Sequence, residues 1–126
     1  YKTCVVGKWQ LGGGLDGPHH FGFDEYCLWQ VDRRPERYPN AGLEVNGKRL
    51  DSTQGEYGPD LVSDFACQFI EANKQQPFLV YYPMILTQKL YSLNCGNSGT
   101  NGKAKSLINS YLLNPVDFIV LVCAYL

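Results

Sequence analysis

The sequence predicts an α/β fold, a mostly parallel sheet with one packed helix and one small hairpin, and three segments carry that expectation. Thr3-Cys4-Val5-Val6 is a short β-compatible run that ends in Gly7 and the cluster Gly12-Gly13-Gly14, the pattern of a buried strand emptying into a loop. Pro59 opens a stretch in which Leu61, Phe65 and Phe69 recur every fourth residue beside Val62, Ala66 and Ile70. That is the period of an amphipathic helix with proline in its first turn. Phe78-Leu79-Val80-Tyr81-Tyr82, after the break Lys74-Gln75-Gln76-Pro77, is almost continuously apolar, as strands covered on both faces of a parallel sheet are.

Taken in order, the first strand puts Lys8, Trp9 and Gln10 just past its carboxyl end, where open α/β sheets gather ligand groups. From Asp16 to Asn40 no periodicity is sustained, and the aromatic anchors Phe21, Phe23, Tyr26 and Trp29 argue for an ordered excursion rather than disorder. Leu43-Glu44-Val45 and Lys48-Arg49-Leu50 flank Asn46-Gly47, the pair that most readily takes the two positive φ values of a tight hairpin turn. The helix should run to about Asn73. Residues 3–6 and 78–82 are expected to be parallel neighbours with that helix on their face. After Thr87 the pattern changes to a polar, glycine-containing stretch from Ser92 to Lys105 and an apolar-rich one from Ser106 to Leu126. The chain therefore divides into a domain over 1–88 and a tail over 89–126 to which the pattern assigns no structure.

The 126 residues suffice for one compact domain. Tyr1 and the run behind it lack the charged-then-apolar pattern of a leader peptide, so the chain reads as entered in the middle. Eleven basic against twelve acidic residues give a net charge of −1, which disfavours nucleic acid and anionic membranes as partners. The longest apolar run, Phe118 to Leu126, is far below the roughly 18 residues that span a bilayer. Cys4, Cys27, Cys67, Cys95 and Cys123 are odd in number and widely spaced. They read as buried or incidental thiols rather than a zinc site or a disulfide scaffold, and leave the redox compartment open.

Gly7-Lys8-Trp9-Gln10-Leu11-Gly12, led in by Tyr1-Lys2-Thr3, resembles the Gly-Lys-Trp-His-Leu-Gly string of formylglycine-dependent sulfatases. Pro18 with Phe21-Gly22-Phe23-Asp24, the helix segment Asp64 to Ile70, and Pro77 to Tyr82 follow in that family's order, so the resemblance covers about residues 1 to 88. It implies a partial alkaline-phosphatase-like sulfatase domain, a sulfuric ester hydrolase acting on sulfate esters or sulfated glycans, and an extracytoplasmic or lysosomal setting. It also implies substrate-binding roles for Lys8, Gln10 and Gln88. Gln10 and Gln88, which follows Thr87, stand where the family has histidines. A glutamine amide donates a hydrogen bond to sulfate but neither carries charge nor transfers protons near neutral pH. The intact family uses calcium and a formylglycine made from the cysteine of a Cys-x-Pro-x-Arg string. No cysteine here has proline two residues later, and the acidic pairs of the metal site are missing. The expectation is a chain with no intact catalytic residue, no metal ligands, no cofactor of its own and no activity alone. Its alternatives are a non-catalytic sulfate-binding relative and a truncated gene product.

Judged without the resemblance, Lys8 is an ordinary solvated lysine. His19-His20, without a third ligand, are loop residues rather than a metal pair. Trp9, Trp29, Tyr81 and Tyr82 suit a sugar-stacking surface, yet aromatics beside strands are mostly core. Asp24, Glu25, Asp60 and Asp64 form no acid/base pair, and Asp60 fits the start of a helix.

Overall fold

The computed structural model describes residues 1–51, 53–83 and 85, and the backbone of 118–123. Its strands are β1 (Lys2–Lys8), β2 (Glu25–Trp29), β3 (Leu43–Val45), β4 (Lys48–Leu50), β5 (Phe78–Pro83) and β6 (Phe118–Cys123), with helices α1 (Gly17–His20) and α2 (Gly58–Asn73). They form one sheet in the order β4-β3-β2-β1-β5-β6. β1 lies parallel to both β2 and β5, with Thr3 opposite Leu79 and Val5 opposite Tyr26. The expected parallel neighbours are therefore adjacent. β6 pairs parallel with β5, from Phe78 opposite Phe118 to Pro83 opposite Cys123. The rest of the expected tail, and Gln88 before it, lie outside the described residues.

The expectation of a mostly parallel sheet needs correction, because β3 joins β2 and β4 joins β3 in antiparallel pairs, making the sheet mixed. Asn46 (φ 45°) and Gly47 (φ 84°) take the left-handed values of a two-residue turn, which can only join antiparallel strands. The hairpin then docks on β2, a strand the sequence concealed. Its segment Glu25-Tyr26-Cys27-Leu28-Trp29 is short, and it is buried on both faces so that no alternation appears. Tyr26 fastens the turn: its carbonyl accepts from Asn46 N–H (3.1 Å) and its N–H donates to Asn46 Oδ1 (2.6 Å). Its hydroxyl accepts from Gly47 N–H (2.7 Å) and donates to the Leu15 carbonyl.

The two faces of the sheet carry separate apolar clusters. Cys4, Val6, Cys27, Val80 and Tyr82 meet Val62, Ala66, Phe69 and Ile70 of α2 on one face. Val5, Trp9, Tyr26, Leu28 and Val31 meet Phe23 and Tyr81 on the other. Trp9, Trp29 and Tyr82 are buried and belong to the core, while Tyr81 is half-buried and stacks on Phe23 at 6.3 Å. Pro59 sits in the first turn of α2 with Asp60, as its sequence suggested. Among the described residues no helix is long and apolar enough to cross a membrane.

Candidate functional site

The carboxyl end of β1 is shaped by Gly7. Its φ of +112° is open to glycine, and a Cβ there would lie 2.0 Å from the Pro83 carbonyl oxygen of β5. The backbone of β1 thus passes hard against β5 before splaying into the loop. Lys8 is the last residue of the strand, half-buried, opposite Trp29. Among the described residues nothing pairs with its ammonium. Trp9 turns into the core, donating from Nε1 to the Gly12 carbonyl (2.7 Å) and from its backbone N–H to the Trp29 carbonyl (3.1 Å). Gln10 is exposed beyond it.

Gln10 lines a cleft of about 400 Å³ between the glycine loop and the segment that follows β2, where Trp9, Gln30, Asp32, Arg33 and Arg34 complete the wall. Lys8 does not line this cleft, so the two expected site residues share a strand end without sharing the cavity. Gln88, the third, lies outside the described residues.

The far wall is held by charge. Arg33 donates from Nε to Glu44 Oε1 (2.7 Å), a carboxylate with no exposure, and also pairs with Asp51. Arg49 lies 3.9 Å from the same Glu44 oxygen and pairs with Asp32. The hydrogen bond to Glu44 raises the Arg33 guanidinium further above its ordinary value, with Asp51 adding to it. Gln30 has φ +70°, a left-handed conformation that costs a non-glycine residue on the order of 1 kcal/mol. Arg37 lies over Trp29, 4.7 Å from the ring centroid, and Trp29 Nε1 donates to the Pro35 carbonyl (3.1 Å). These contacts pin the loop to the sheet. Gln10 stands in the string that the sequence singled out. Gln30, Asp32 and Arg34 carried no signal, because the strand that delivers them was not recognised.

Among the described residues no three His, Cys, Asp or Glu side chains converge as a cation site. Cys4 and Cys27 are buried on strands, with burial pushing the Cys4 thiol far up and that of Cys27 up to about 12, far from the reactive range of exposed thiols. His19 and His20 are exposed: His19 lies 3.8 Å from Asp16 and His20 packs edge-on to Phe21.

No protein-family model matches the chain, and no curated protein is significantly similar to it. Two of the strings quoted above nevertheless meet in space. Thr3 N–H donates to Asp24 Oδ2 (2.8 Å), Asp24 N–H donates to Thr3 Oγ1 (2.9 Å), and Thr3 Oγ1 donates to the Gly22 carbonyl (2.7 Å). The lead-in threonine and the Phe-Gly-Phe-Asp string are thus two halves of one lock.

Proposed function

We propose that the chain is part of a sulfatase-type, alkaline-phosphatase-like hydrolase domain and contributes Lys8, Gln10 and Gln88 to its sulfate-binding end. The observation that carries this reading is the string Gly7 to Gly12 at the carboxyl end of a strand with parallel neighbours on both sides. Such strand ends are where α/β sheets bind ligands. Gly7 is accounted for by its contact with β5 and Trp9 by its burial, and of the remaining members Lys8 and Gln10 carry the polar side chains, beside the exposed Leu11. An ammonium with no described partner supplies charge to a sulfate, and the amide of Gln10 supplies a hydrogen bond.

Hydrolysis by this chain alone is not part of the reading, because no cysteine in it has the sequence context for formylglycine. The glutamines at positions 10 and 88 favour a second form of the same proposal, a relative that holds a sulfate ester or sulfated glycan without cleaving it. Two measurements test the pair. The purified chain with added calcium should not turn over a chromogenic aryl sulfate, and calcium-dependent turnover above background would overturn the inactive form. Inorganic sulfate followed by amide shifts should bind on the order of millimolar, and Lys8→Ala should remove most of that binding. Unchanged binding by Lys8→Ala would remove the sulfate-site reading.

A further inference from the structure

On the face of the sheet opposite the Trp9 cluster, the hairpin and α2 leave a gap. Leu43, Val45 and Leu50 of the hairpin and Leu61 and Phe65 of α2 line a cleft of about 270 Å³ whose walls are mostly apolar. The buried stripe of α2, Val62, Ala66, Phe69 and Ile70, lies on the central strands. That leaves Leu61 and Phe65 half-buried at the sheet edge and Leu50 43 % exposed. Two carboxylates, Glu56 and Asp64, stand in the same wall, and no Lys or Arg lines it. Among the described residues neither carboxylate has a hydrogen-bond or ion-pair partner. Burial, and then the negative charges of Asp60 and Glu56, hold the Asp64 carboxyl above its ordinary value of 3.8. A negative field therefore stands beside an unfilled apolar surface.

An apolar wall favours a hydrocarbon, and an unpaired carboxylate at its edge favours a hydrogen-bonding cation. A neutral apolar ligand would cover the carboxylates without pairing them, and an anion would add a like charge. The volume lies just below the roughly 300 Å³ at which drug-sized sites begin, so the fitting occupant is a small molecule. We infer that the cleft between the hairpin and α2 binds a small amphiphilic amine, an organic ammonium ion whose hydrocarbon part lies on Leu43, Leu50 and Phe65 and whose head pairs with Asp64 and Glu56. The site is separate from the proposed sulfate-binding end, because neither Lys8 nor Gln10 lines it.

The test uses the full chain near neutral pH with phenethylamine, its neutral counterpart 2-phenylethanol, the anion phenylacetate and methylammonium as probes, followed by amide chemical shifts. Shifts should fall within residues 43–50 and 53–68. Phenethylamine should bind about tenfold more tightly than 2-phenylethanol, the difference expected for a charged hydrogen bond. Phenylacetate should bind more weakly than the alcohol, and methylammonium, which lacks the hydrocarbon, more weakly than phenethylamine. Asp64→Asn should remove most of the preference for amine over alcohol and leave the alcohol unchanged. The substitution relieves repulsion with Asp60 and Glu56, so the variant should keep the wild-type amide spectrum. Glu56→Gln, at an exposed position, provides a second reading of the same loss. Leu50→Ser should weaken both phenyl probes alike, and Lys8→Ala should change neither. Loss of the preference in either carboxylate variant supports the assignment. Equal binding of amine and alcohol by the wild type, methylammonium binding as well as phenethylamine, no binding of any probe, or a preference retained in both carboxylate variants would overturn it.

Discussion

Arg33 and Arg34 are one backbone step apart, Arg33 half-buried and Arg34 exposed. Arg33 neutralises Glu44, whose carboxylate has no exposure and whose Oε2 has no described partner even with Arg33 in place. Arg33→Ala would leave a buried charge with only Arg49 at 3.9 Å to offset it, so it should destabilise the fold by about 3 kcal/mol in urea denaturation. Arg34→Ala should stay within about 0.5 kcal/mol. Equal effects would mean that the buried pair is not the brace of the loop. Asp24 makes a pH-dependent contribution. Thr3, first through its backbone N–H and then through its hydroxyl, holds the Asp24 carboxyl below its ordinary value of 3.8, and Lys2 adds to this. A depressed folded value means that the stabilisation is present above the unfolded value and is lost as pH falls through the folded one. Asp24→Ala should cost about 1 kcal/mol at pH 6 for a partly exposed group. The difference between wild type and variant should shrink as pH falls below about 4 and through the lowered folded value. A difference that did not shrink on acidification would show that the charge is not the source.

At the level of elements, glycine does two different jobs in the same sheet. Gly7 combines a φ of +112° with a Cβ position 2.0 Å from a backbone oxygen, and neither β1 nor β5 can move without breaking its pairing. Gly7→Ala should therefore cost at least about 3 kcal/mol and disturb the end of β1. Gly47 has φ +84° but nothing within 4 Å of its would-be Cβ. Gly47→Ala should cost only about 1 kcal/mol, the backbone penalty alone. Thermal or urea unfolding of the two variants separates steric from conformational cost, and equal losses would refute the close-approach account. The turn at Asn46-Gly47 was legible because its chemistry is local. The contact at Gly7 was not, since the atoms it meets lie 76 residues along the chain.

For the whole molecule, β1 and β2 lie between two apolar clusters, so both faces of the central sheet are dry. Cys4 and Cys27 sit within that layer and should resist iodoacetamide in native buffer while reacting fully in denaturant. Cys67, half-exposed on α2, should label ahead of them. Mass spectrometry of the labelled chain checks this, and native labelling of Cys27 at the rate of Cys67 would show that the sheet opens. The alternation of Leu61, Phe65 and Phe69, the apolar run at Phe78 and the Asn46-Gly47 pair were enough to read α2, β5 and the hairpin, because period and turn chemistry are properties of neighbouring residues. The string around Lys8 likewise marked a strand end, since β1 stops at Lys8. Beyond the sequence lay the identity of β2 as a strand, the mixed character of the sheet, the Arg33 to Glu44 brace and the gathering of Gln10, Gln30 and Arg34 around one cleft. Each of these depends on which distant segments meet, and a pairing across 11 or 21 residues, as in Arg33 with Glu44 or Thr3 with Asp24, leaves no periodic trace in the chain.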